Sequence, residues 1–338
     1  VKNGLENKKM DLSEVIGDLI AENGGQCFLD KLHVPYETDA AGPAAKFGLG
    51  CELYLKSIDR QVMREQSLQF FLDFYRMFPE RVGQFLPTEA RRTIKIKGDL
   101  ESLIRADMSK TEPKKGYGTA LFGAVDIGLP KDDVEPYQAR LLIGRENRNR
   151  LSFALAFMPV CDGQGKNNFE VLCDAVLRWC AIFKPVHGGA GFSFIFSSAM
   201  SQNSVYTLQI MKRFPGIEFI DGVAVARETE EEQNRIKGVN WLTVLNYELV
   251  EQLGGLEQMK KALEPACTIH NYDGGVLIQA GPTPRIGDAQ RGDIPTEYRM
   301  VARFTKPIRF ENYDERLFRV PDGLDDKAET LEWIRRFD

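Results

Sequence analysis

Leu151-Ser152-Phe153-Ala154-Leu155-Ala156-Phe157-Met158 alternates bulky and small side chains, with Phe153, Leu155 and Phe157 on one face. Period-two spacing predicts a strand. A short way on, the period changes. Phe169, Leu172, Cys173, Val176, Leu177, Cys180 and Phe183 form one helical stripe, which Asn167 or Asn168 can cap and Pro185 stops. Strands and helices follow one another along this chain without regular strand–helix–strand spacing. That pattern favours an α+β fold, with mixed or antiparallel sheets packed by amphipathic helices, over a doubly wound one. The domain reading is a single domain over 1–338, or one drawn into two lobes with a boundary near 130–136.

Towards the N-terminus, Ala139 to Ile143 reads as a strand pairing with Leu151 to Met158 around Gly144 to Arg150. Tyr117 to Ile127 reads as another, and Leu129 to Asp133 as a hinge. Gly98 to Gly116 is polar and basic and reads as a loop with one helical turn. Asp59 to Phe78 is a long helix ended by Pro79. Phe47 to Leu55 and Cys27 to Val34 are β-like, and Leu12 to Ala21 is a short helix. Towards the C-terminus, His187 to Gly191 reads as a flexible turn into a strand, Phe192 to Phe196. Helices are expected over Ser201 to Arg213, from Asn240 through Leu253, and over Leu256 to Leu263. Gly275 to Ala280 is a buried strand, Gly281 to Asp293 a turn-rich loop, and Tyr298 to Phe304 and Ala328 to Phe337 are helical.

Charge narrows the function classes. The net charge is −5, so the chain lacks the global basic balance of a phosphate-binding protein. A mildly acidic protein suits a basic partner better. The polar stretch Val1 to Met10 lacks the apolar run of a signal peptide, and Met10 offers a natural start. No window is apolar for long enough to span a membrane. The cysteines at 27, 51, 161, 173, 180 and 267 include no CxxC pair. Cys173 and Cys180 share the helical stripe as small buried hydrophobes. Scattered cysteines in a chain of this length fit a reducing compartment, and the cytoplasm is the expected location.

Candidate chemistry is thin. His187-Gly188-Gly189-Ala190-Gly191 looks like the oxyanion loop of esterases, and a hydrolase using it is the alternative reading. It needs a G-x-S-x-G elbow, which the sequence lacks. His33, His187 and His270 share no ligand spacing, so neither a metal nor another cofactor is expected. Gly118 to Gly123 has P-loop spacing but Ala124-Val125 where Lys-Ser/Thr belongs. No catalytic residue is assigned. Two charged features remain as contacts. The acidic residues Glu228, Glu230, Glu231 and Glu232, with Asp273, Asp288 and Asp293 on Gly-rich turns, are the candidate partner-binding set. The basic stretch Arg91 to Lys115 would serve a nucleic-acid adaptor, a third reading.

One segment reads as a signature. Gly238-Val239-Asn240-Trp241-Leu242-Thr243 is followed by Leu253-Gly254-Gly255-Leu256, Tyr272-Asp273-Gly274-Gly275 through Gly281-Pro282, then Pro284-Arg285-Ile286-Gly287-Asp288 and Lys306-Pro307-Ile308-Arg309. This order resembles the type VI secretion immunity family with its TsiV-like members. The resemblance is strongest over Gly238 to Phe310 and also takes in Trp179 to Gly191. It implies a cytoplasmic antidote that binds a cognate VRR-Nuc-type DNase and blocks its active site or DNA groove, with no direct nucleic acid or membrane contact. The matching residues Asn240, Trp241, Gly254, Gly255, Gly281, Pro282, Gly287 and Asp288 all have structural readings, so the resemblance implies a partner without locating its binding face.

Overall fold

In the computed structural model, the described residues are 11–23, 26–35, 43–123, 134–145, 148–196 and 204–338. In chain order the strands are β1 (His33–Pro35), β2 (Pro43–Leu55), β3 (Val82–Leu86), β4 (Ile94–Lys95), β5 (Tyr117–Gly123), β6 (Gln138–Ile143), β7 (Ser152–Met158), β8 (His187–Phe196), β9 (Leu242–Asn246), β10 (Cys267–Tyr272) and β11 (Gly275–Ala280). The helices are α1 (Leu12–Asn23), α2 (Arg60–Met77), α3 (Leu100–Met108), α4 (Phe169–Phe183), α5 (Tyr206–Arg213), α6 (Gly222–Glu228), α7 (Tyr247–Gln252), α8 (Leu256–Leu263), α9 (Thr296–Thr305) and α10 (Asp326–Ile334).

All eleven strands join one sheet in the order β10-β11-β9-β8-β2-β7-β6-β5-β3-β4, with β1 beside β2. Every pairing is antiparallel, which makes the fold α+β. The 130–136 region lies between β5 and β6, which pair directly with each other. The hinge at Leu129 to Asp133 falls outside the described residues.

The middle of the sheet is covered on both faces, so its strands lose the polar alternation of a half-exposed sheet. Every residue of β7 is buried. The small residues Ala154 and Ala156 lie on one face, where Cys51 of β2 meets Cys180 of α4. There α2 packs on α4, with Phe70 edge-on against Trp179 at 5.2 Å and tilted against Phe183 at 5.5 Å. Asp59 caps α2 by accepting from the N–H groups of Gln61 and Val62. The bulky residues Phe153, Leu155 and Phe157 lie on the other face. There a Cβ on Gly222 of α6 would sit 2.6 Å from the Phe153 ring. Phe219, Phe318 and Trp333 continue that layer to the C-terminal helix α10.

Several elements differ from what period and punctuation suggest. His187 to Gly191 is not a turn but the first half of β8, a central strand paired with β2 on one side and β9 on the other. Its glycines serve close approach: a Cβ at Gly188 would lie 2.4 Å from the Glu52 carbonyl oxygen, and one at Gly191 2.2 Å from Asn240 Oδ1. Asn240 starts no helix. Leu242–Asn246 is strand β9 between β8 and β11, and Asn246, accepting from Leu249 N–H, caps the short helix α7. Trp241, Val244, Leu245 and Leu249 fit helical spacing, but a short apolar run buried on both faces is ambiguous between the two periods. The expected loop at Gly98 to Gly116 contains α3, capped by Asp99 and burying Leu100, Ile104 and Met108. Cys27 to Val34 is mostly a 3-10 turn over Gln26–Lys31. Cys27 is joined to Cys161 in a disulfide, Cα–Cα 5.3 Å, while Cys51, Cys173, Cys180 and Cys267 are free and buried. The inference of a reducing compartment from unpaired cysteines loses its basis there. No helix among the described residues is long and apolar enough to cross a membrane.

Candidate functional site

The acidic candidates divide by what already holds them. Glu228 ends α6 with its side chain only 4% exposed. Its carboxylate accepts from the N–H groups of Asp314 (2.8 Å) and Glu315 (3.1 Å) and meets Arg227 at 3.3 Å. Glu230 is paired with Arg150 at 2.5 Å. Glu232 accepts from the Asn312 amide at 2.5 Å and meets Arg235 at 3.4 Å. Glu231 is exposed and has no charge partner among the described residues. Asp288 is turned inward onto Arg213 (3.2 Å) and caps the 3-10 turn Ala289–Arg291. Asp293 pairs with Arg285 at 2.6 Å, and its backbone bridges to Asp288. Asp273 meets Lys184 at 2.6 Å and remains open to solvent. The fold thus joins Asp288 with Asp293, and it binds the 228–232 run to residues 312–315. No contact among the described residues brings Asp273 to either group.

A second cluster escaped the sequence reading. Glu52 on β2, Glu218 before α6, Lys237 before β9 and Arg336 after α10 meet inside the protein, each with a side chain at most 7% exposed. Lys237 Nζ pairs with Glu52, lies 2.8 Å from Glu218 and donates to the Phe219 carbonyl at 3.0 Å. Arg336 donates to the second oxygen of Glu218 at 2.7 Å and lies over the Trp333 ring. Tyr54 donates to Glu52 at 2.6 Å, and His187 stacks on Tyr54 with ring centroids 4.6 Å apart. Burial pushes the Glu52 carboxyl up despite the lysine. Burial alone would lower the Lys237 ammonium, but Glu218 and Glu52 together hold it above its ordinary value. Burial, then Lys237, brings the His187 imidazole down to about 3. Two carboxylates, a lysine and a histidine could serve acid–base chemistry, but they are buried, His187 is neutral, and Glu52 and Glu218 are balanced by Lys237 and Arg336. The arrangement ties Arg336, after α10, through Glu218 and Lys237 to Glu52 on the central strand β2. Glu52 between Cys51 and Leu53 in an apolar run was the one signal in the sequence that could have found it.

At the residues of the hydrolase alternative, His187 Nε2 has no hydrogen-bond partner among the described residues, and the glycines that follow it are part of a strand rather than a loop. His270 Nε2 is bonded to Gln279 across the β10–β11 pair. No group of three or more His, Cys, Asp or Glu that could hold a metal occurs among the described residues.

The basic stretch is also divided. Arg105 pairs with Glu65 and Glu101, and Lys110 with Asp107. Arg91, Arg92, Lys95 and Lys97 are exposed and have no charge partner among the described residues. They surround β4, the last strand of the sheet.

Residues 101–337 match the TsiV family, described as type VI immunity for VRR-NUC. The chain belongs to that family. Among solved structures it is similar to the Pseudomonas aeruginosa T6SS protein PA0821, with a TM-score of 0.79 and 21% identity over 96% of this chain and 91% of that one. At this identity the likeness shows the fold. No curated protein matches the chain.

Proposed function

We propose that this protein binds a VRR-Nuc nuclease toxin of the type VI secretion system and neutralises it by occluding its active site or DNA groove, carrying out no reaction of its own. The observation that carries the reading is the family match over residues 101–337. The burial and charge balance of the Glu52, Glu218, Lys237 and Arg336 cluster support binding rather than turnover. Glu228, Glu230, Glu231, Glu232, Asp273, Asp288 and Asp293 are proposed partner contacts, facing the basic groove that any DNA-cleaving enzyme needs. Glu231, Asp273 and Asp293 are the most accessible of them. The test is co-purification with a candidate cognate VRR-Nuc nuclease, together with survival of cells expressing that nuclease. A stable complex and restored growth are expected. Absence of both would overturn the reading.

The proposed compartment is the cytoplasm, where a nuclease reaches chromosomal DNA. A disulfide would be reduced there. Asp30, accepting from Val160 N–H (2.7 Å) and Cys161 N–H (2.9 Å), then keeps the same two segments together without it. Thiol trapping in intact cells should find Cys27 and Cys161 reduced. A pair found oxidised in the cell would place the protein in an oxidising compartment instead.

A further inference from the structure

β4 lies at one end of the sheet and β10 at the other. An outermost strand presents unpaired main-chain groups that another strand can meet. The two ends differ in charge. Thr268, Ile269, His270 and Asn271 along β10 carry no carboxylate, lysine or arginine, whereas Arg91-Arg92-Thr93-Ile94-Lys95-Ile96-Lys97 has four cations in seven residues. In a chain of net charge −5, four exposed cations within seven residues, none with a charge partner among the described residues, make a local excess of positive charge.

The strand is also held in a defined shape. Thr93 Oγ1 donates to Gln84 Oε1 at 2.5 Å, Ile96 N–H donates to the Gly83 carbonyl at 2.9 Å, and Lys95 and Ile94 lie opposite Gln84 and Phe85. Since Ile96 N–H points to β3, alternation turns the Lys95 and Lys97 N–H groups outward. Thr93, Lys95 and Lys97 share one face, and Arg92, Ile94 and Ile96 the other. Ile94 is 44% exposed, an aliphatic foothold among the cations.

We propose that β4 is a docking edge for an acidic, extended segment of the nuclease partner, which adds as a further strand with carboxylates at alternate positions facing Lys95 and Lys97. The proposal rests on the immunity reading and assigns it a contact surface. Charge complementarity fixes the sign of the partner. The combination of a free strand edge with an exposed isoleucine points to a polypeptide rather than a nucleic acid, which has no main chain to pair with a sheet. The cations would steer encounter, and the main-chain bonds would hold the complex.

The experiment uses the full chain and the candidate VRR-Nuc nuclease of the immunity test, inactivated at its own catalytic residues. Two variants are compared with the wild type: R91E/R92E/K95E/K97E, which reverses the charge, and Lys95→Pro, which removes one outward N–H from an edge position where proline is tolerated. The charge variant should associate about 100-fold more slowly at low salt, with the difference shrinking as salt rises. Lys95→Pro should raise Kd by about 10-fold, largely through faster dissociation. Both should unfold at the wild-type urea midpoint. A wild-type complex that both variants keep unchanged overturns this proposal alone. So does a charge variant that self-associates yet still binds the nuclease, since the lysines would then only guard the edge. Binding of a DNA duplex through these cations with nuclease binding unaffected would do the same. Failure of the wild type to form any complex overturns the immunity reading together with this one.

Discussion

Glu52, Glu218, Lys237 and Arg336 form one group of four charges; Arg91, Arg92, Lys95 and Lys97 form another. The first is drawn from four distant parts of the chain, sealed from solvent and balanced in sign. The second is contiguous, exposed and all positive. Inside, a charge is tolerable only where a partner offsets its lost hydration, so each member depends on the others. At the edge, water does that work and the charges remain available. The acidic run at 228–232 falls between the two: conspicuous in sequence, yet three of its four carboxylates are engaged by Arg150, Asn312, Arg227, Arg235 and the backbone at 314–315. A run of like charge in a sequence therefore measures neither exposure nor availability.

The comparison breaks first at Lys237. Lys237→Met leaves Glu52 and Glu218 buried against each other and should lower unfolding free energy by about 3–5 kcal/mol, read from urea denaturation. A loss below about 1 kcal/mol would mean the group is not interdependent.

His187 sharpens it through pH. Its folded-state value lies near 3, below the ordinary value of about 6.5 expected in the unfolded chain. The unfolded chain therefore takes up the proton first. The contribution of neutral His187 is fully present above about pH 6.5 and is lost as pH falls from there towards 3, at up to about 1.4 kcal/mol per unit. His187→Phe, which retains a ring against Tyr54, should flatten the stability profile across that window. An unchanged profile would show that the imidazole is not held neutral.

The smallest effects lie in the acidic run. Glu228→Ala should cost about 1–2 kcal/mol, because two N–H groups lose their acceptor. Glu231→Ala should stay within about 0.5 kcal/mol. Equal costs in thermal denaturation would erase the distinction between engaged and free carboxylates.

What could be read in the sequence follows from the range of the forces. The α4 stripe, the alternation of β7 and the strand over Gly275–Ala280 are local patterns, and they are where the periodicity placed them. β8 and β9 were misread because their residues are chosen for neighbours far along the chain: Gly188 for the Glu52 carbonyl, Gly191 for the Asn240 side chain. The family signature at Gly238 to Phe310 was legible through its caps and turns, which are local as well: Asn246 caps α7 and Asp288 caps the turn Ala289–Arg291. The buried cluster was not legible, since nothing near Lys237 in sequence names Glu52 or Arg336 as its partners.

The position of β4 has a consequence for how such a protein can change over generations. Its cations make no ion pair among the described residues, so exchanging them should cost the fold little. Were a toxin to dock on that edge as proposed, the contact could be rewritten residue by residue as the toxin drifts, while the sheet behind it is inherited intact.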